Sequence, residues 1–156
     1  MKVFIVFLGL CIINVSFLTY QGDMGRYARC QTYLKAVAEE CAAGAALYYE
    51  EEEYSGGRFQ FDYEEGGKYI EYIIDQTEAA SPLPDGSVLS YQVDFRDDVC
   101  GYDEGSISVY PNDKNEDHDG TPSVTVEITA STPDLFHLSF LTVKEIKRAA
   151  RYELPQ

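Results

Sequence analysis

The chain has no tryptophan, two histidines and few basic residues. It contains no Gly-x-Ser-x-Gly elbow, no His-Glu-x-x-His pair, no phosphate-cradling glycine loop and no Cys-x-x-Cys. Each missing pattern is the residue arrangement that a particular chemistry requires, so their joint absence argues for a non-enzyme. The histidines add little. His118 stands among aspartates, which hold its proton and make it a poor base near neutrality. His137, in "LFHLSF", shares a face with Leu135 and Ser139 and reads as a structural, half-buried residue. Paired carboxylates carry no signal where 27 acids are present.

Positive charge is scarce as well. Twelve Lys and Arg face 27 Asp and Glu, a net charge of -15. That excess repels nucleic acid and anionic membrane surfaces, and it attracts divalent cations and basic partners. The chain is not disordered by composition, because 45% hydrophobic residues, with 13 Tyr and 8 Phe, can fill a core.

Long apolar runs are confined to the start, "MKVFIVFLGLCIINVSFLTYQGDMG". One lysine precedes an apolar stretch from Val3 to Ile13, which continues to Leu18 past Asn14 and Ser16. This layout predicts a secretory signal peptide over 1–22, cut between Ser16 and Gly22, ahead of a single secreted domain over 23–156. No small-x-small cleavage site stands out, and an uncleaved anchor is the other reading. Loss of Lys2 with the signal would move the net charge to -16. The one N-glycosylation acceptor, Asn14-Val15-Ser16, would be lost too.

Cysteine is sparse and, after Cys11 leaves, odd in number: Cys30, Cys41 and Cys100. "GRYARCQTYLKAVAEECAAGAALYY" reads as a helix, with Tyr27, Cys30, Leu34, Val37, Cys41, Ala45 and Tyr48 on one stripe. Three turns separate Cys30 from Cys41, roughly 16 Å along the axis. A disulfide needs Cα atoms within about 7 Å. The expectation is a bridge from Cys100 to one of them, with the other free or linking a dimer; two buried thiols are the alternative.

After that helix, "RFQFDYE" alternates through Phe59, Phe61 and Tyr63. "GKYIEYIIDQTEA" fits both periods, and its Tyr, Ile and Thr content favours a strand. A turn at Pro82, Pro84, Asp85 and Gly86 leads to "SVLSYQVDFRD", with Leu89, Tyr91, Val93 and Phe95 facing one way. "GSISVYP", "SVTVEITA" and "LFHLSFLTV" complete the strands, and "KEIKRAARYELPQ" reads as a short basic helix or frayed tail. The Lys147-Arg148 pair within it could mark processing. The expected class is α+β: one N-terminal helix packed on an antiparallel sheet of about four to five strands. This order is similar to the cystatin-like fold, and "SVLSYQVDFRDDVC" resembles a cystatin's third strand running into a cysteine. The resemblance covers the plan of the chain. The Gln-x-Val-x-Gly loop and the Pro-Trp turn through which cystatins inhibit cysteine proteases are absent.

One stretch carries metal-like spacing. In "NEDHDG", Asn115, Asp117 and Asp119 alternate and Gly120 follows, matching the front of a calcium loop. The twelfth position from Asn115 is Val126, with Glu127 one residue late. The pattern therefore supports an open cation site at most, built from Asp113, Asn115, Asp117, Asp119 and Glu127, with weak calcium affinity. A solvated hairpin loop explains the same residues. Further acids cluster at Glu50 to Glu53, in "FDYEEGG" and in "FRDDVCGYDEG". Together they point to an acidic matrix-type protein binding calcium, a mineral surface or a basic protein. The second reading is a secreted binding protein, such as a venom component or protease inhibitor.

Overall fold

A computed structural model describes residues 2–102, 107, 120–133, 135–137 and 142–154. The described elements are α1 (Lys2–Ala45), α2 (Glu51–Ser55), α3 (Tyr63–Glu78), β1 (Val88–Arg96), β2 (Ser123–Ser131) and β3 (Glu145–Glu153). The class is α+β, with three strands in place of the expected four to five.

α1 has two halves of different character. From Cys30 onward, Leu34, Val37, Ala38, Cys41, Ala42 and Ala45 are buried, which is the stripe its spacing predicts. Tyr48 leaves that stripe, because the helix stops at Ala45 and the chain turns through Ala46 and Leu47. The first half runs through the expected signal segment without a break, and it is long and apolar enough to cross a membrane.

The sheet is an antiparallel meander in the order β1-β2-β3. Strand alternation sends Leu89, Tyr91, Val93 and Phe95 of β1 to one face. They stand opposite Ala130, Ile128, Val126 and Val124 of β2, which pair onward with Ile146, Arg148, Ala150 and Tyr152 of β3. α1 lies across β2 and β3 on this face, and α3 packs beside α1 towards β1. The other face carries Asp94, Arg96, Thr125, Glu127, Lys147 and Arg151.

Several segments differ from expectation. "GKYIEYIIDQTEA" is helical and not a strand: it forms most of α3, burying Ile70 and half-burying Ile73, Ile74 and Thr77. Asp62 caps that helix, accepting from the amides of Glu64 at 3.1 Å and Glu65 at 3.0 Å. "RFQFDYE" is reduced to one bridge, Tyr49 with Phe61, before the helix begins. The long hairpin of the cystatin-like order is thus replaced by a helix. The basic tail is β3, neither helix nor frayed end, because β2 offers it a hydrogen-bonding edge and its Ile146, Ala150 and Tyr152 alternate. Leu135 to His137 adopt no strand, and residues 138–141 lie outside the described residues. So does the "GSISVYP" strand apart from Ile107, which is buried.

Gly44 shows how closely the helices approach. A Cβ there would fall inside the ring of Tyr69, so α3 meets α1 through a residue without a side chain.

Candidate functional site

The residues proposed as metal ligands divide. Asp113, Asn115, Asp117 and Asp119 lie outside the described residues. Glu127 sits in β2 on the sheet face away from α1, with its carboxylate 4.0 Å from Lys147 Nζ. Among the described residues no group of three or more His, Cys, Asp or Glu converges on a common metal position.

Acidic charge is concentrated instead on the helical layer. Residues 31–80 hold twelve acids and three bases. Each base is already paired within the layer: Lys35 with Glu39, Arg58 with Glu53, and Lys68 with both Glu64 and Glu65. Those two glutamates raise the Lys68 pKa. Glu40, Glu50, Glu51, Glu52, Glu71, Asp75 and Glu78 remain as exposed carboxylates. Exposed tyrosines stand among them, with Tyr54 at 61% and Tyr72 at 59% of full exposure. Glu40 accepts from Tyr69 at 3.3 Å and Glu71 from Tyr91 at 3.1 Å. Burial, and then the adjacent carboxylates, push both phenols up.

A second acidic feature is a closed corner rather than an open site. Asp97 is fully buried at the end of β1. Its carboxylate accepts from the amides of Phe61 (3.0 Å), Val99 (3.0 Å) and Cys100 (2.8 Å) and from the Tyr63 hydroxyl (2.7 Å). Four donors fill its acceptor capacity, which is what a buried carboxylate requires. Gly101, at φ 88°, lets the chain turn back so that its amide reaches the Asp97 carbonyl at 2.8 Å. Neighbouring Asp98 accepts from Phe59 N at 2.7 Å and from the Tyr102 hydroxyl at 2.7 Å. Those two bonds hold its carboxyl below the usual range against the opposing effect of burial. Burial first, then Cys100 and Asp97, raise the Tyr63 phenol. The corner is packed by Phe59, Phe61 and Phe95, with centroids 4.9 Å and 5.7 Å apart along the row. It ties α3, β1 and the 49–61 segment together and leaves no lone pair facing a ligand.

The cysteines are all free thiols. Cys30 and Cys41 are buried in the core on α1, and the structure joins Cys100 to neither. Burial raises both core thiols, Cys41 to about 12. Cys100 is exposed, with its sulfur 3.2 Å from the Tyr63 hydroxyl. His118 lies outside the described residues. The imidazole of His137 is 61% exposed and paired to buried Asp23, with Nδ1 2.7 Å from Oδ1.

Sequence reasoning missed Asp23, Asp62 and Asp97 as organising residues. Asp62, three residues before Glu65, had a readable capping signal. Asp23 had none, because its donors come from His137; at Asp97 the amides of Val99 and Cys100 are local, but the Phe61 amide and the Tyr63 hydroxyl, which bury it, come from distant parts of the chain. No family model, curated protein or solved structure matches this chain.

Proposed function

We propose that this chain is an acidic, non-enzymatic protein of matrix type, acting outside the cytoplasm and binding calcium or a mineral surface weakly and at many points. The supporting observation is the helical layer, where the three bases are already paired and the remaining carboxylates stand exposed without three of the described ones converging on one position. Carboxylates that do not converge build no seven-coordinate cage, so each cation gains few ligands and binds in the weak extracellular range. The apolar N-terminal segment supports export. The acidic residues of 113–119 would add carboxylates to the same task.

The exposed tyrosines favour a second reading, a basic protein target. Tyr49 and Tyr54, in ring contact at 5.6 Å, are exposed aromatic anchors beside Glu50 to Glu53, and Tyr72 is a further one next to Glu71.

Calorimetry on the full chain in a non-ionic detergent and physiological salt separates the two. Several weak calcium sites, reduced when Glu50, Glu51, Glu52 and Glu71 are changed to Gln, support the first reading. Equal magnesium heats would indicate charge screening alone. No calcium heat, together with saturable binding of a short oligolysine peptide, would turn the assignment to a protein target.

A further inference from the structure

We propose that the first half of α1 is retained as a membrane anchor, with the hydrocarbon core of a lipid bilayer as its partner. This inference is independent of what the acidic layer binds.

Val3 to Tyr20 contains no charged residue. As a helix these 18 residues extend about 27 Å, close to the roughly 30 Å of a bilayer's hydrocarbon core. Exposure runs around the whole circumference: Val3, Phe4, Ile5, Val6, Phe7 and Leu8 are consecutive and all at least 49% exposed. A helix meant for a protein groove would show a stripe, with a polar face left over. An all-round apolar surface fits lipid.

The polar residues inside the run point the same way. Asn14 Nδ2 donates to the Leu10 carbonyl at 2.9 Å, and Thr19 Oγ1 donates to the Val15 carbonyl at 3.0 Å. Polar side chains satisfied on their own helix are tolerated where no water is present. Tyr20 stands at the end of the run, where an aromatic ring suits the interface, and Gln21, Asp23, Arg26 and Arg29 follow.

The folded domain continues directly from the apolar run. α1 is unbroken across Ser16 to Gly22, the zone where a leader would be cut. The next residue, Asp23, is buried and held by His137 through both its backbone amide (2.9 Å) and its ring (2.7 Å). One turn on, Tyr27 packs against Phe136 with centroids 6.1 Å apart. The domain thus grips the helix within one turn of the apolar run, with no linker between them. The flanking residues also lack the small-x-small pair that a leader peptidase reads.

An anchor continuous with the core helix has a geometric consequence. Glu39 lies 19 residues beyond Tyr20, about 28 Å further along the helix. That is more than three Debye lengths at physiological salt, so the acids around Glu39 and Glu40 stand clear of the lipid headgroups, while α3 runs back and sets Glu78 nearer, level with Tyr33, whose hydroxyl donates to the Thr77 carbonyl at 3.0 Å.

The test is alkaline carbonate extraction of membranes from cells expressing the full chain with a C-terminal tag, followed by intact mass. The expected result is a full-length chain in the membrane pellet, which floats with neutral phosphatidylcholine vesicles after reconstitution. Substituting Ile12→Lys and Ile13→Lys is expected to shift the chain from pellet to supernatant. A soluble product shortened by about twenty residues would overturn the proposal in favour of a cleaved leader. A full-length soluble chain that self-associates through this segment would overturn it in favour of a second copy as the partner.

Discussion

Asp23 and His137, 114 positions apart, are joined twice: the carboxylate accepts the His137 amide at 2.9 Å and lies 2.7 Å from its ring nitrogen. This pair fastens the last segment before β3 to the middle of α1. The His137 bonds hold the Asp23 carboxyl below its ordinary value of 3.8, against the upward push of burial. A depressed carboxylate stabilises the fold above its unfolded pKa and loses that contribution as pH falls through its folded pKa. Asp23→Asn is therefore expected to lower the melting temperature at pH 7, by the equivalent of about 2 kcal/mol for hydrogen bonds to a charged group. The difference from wild type should shrink to nothing well below pH 4. Melting curves across that range check it, and a difference that does not change with pH would contradict it.

Asp97 is expected to be the more sensitive position. Asp97→Ala strands four donors in a buried corner and should cost about 3 kcal/mol or more. Tyr63→Phe removes one of them and should cost about 1 kcal/mol. Urea denaturation of the two variants measures the ratio. Equal losses would mean that the backbone amides contribute little.

The thiols should separate by burial. Cys30 and Cys41 are expected to be unreactive towards a thiol reagent until the chain unfolds, while Cys100 reacts in the native state. Mass mapping of the labelled sites under native and denaturing conditions reads this directly. A native Cys30–Cys100 or Cys41–Cys100 bridge would instead remove Cys100 from the labelled set.

Gly44 permits the α1–α3 contact. Gly44→Val is expected to destabilise by about 1–3 kcal/mol through overpacking against Tyr69, and Tyr69→Ala in the same chain should recover part of the loss. Additive losses in the double variant would show that the two residues do not meet.

Export can be read by protease access. Lys2 precedes the apolar segment, while Arg26 and Arg29 follow it, and such cations bias which side a domain takes. If the domain acts outside, protease added to intact cells should digest it. Complete protection would place it in the cytoplasm and end the extracellular reading.

Local pattern was enough for part of this structure. The stripe of Cys30, Leu34, Val37, Cys41 and Ala45, and the alternation of Leu89, Tyr91, Val93 and Phe95, are one-dimensional records of a single buried face, so spacing alone identifies them. The acidic surplus and the uncharged run from Val3 to Tyr20 are likewise properties of the sequence by itself.

The tertiary structure decided what local pattern left ambiguous. The 67–79 segment carries β-forming residues in a helical spacing; the Asp62 cap and the face offered by α1 resolve it as helix up to Glu78. "IKRAARY" has an alanine pair that suits a helix, yet the free edge of β2 supplies a full ladder of hydrogen bonds and makes it a strand. The acids that organise the fold, Asp23 and Asp97, resemble the surface acids in sequence. They differ because their donors arrive from Phe61, Tyr63 and His137, and only the folded chain brings those groups within 3 Å.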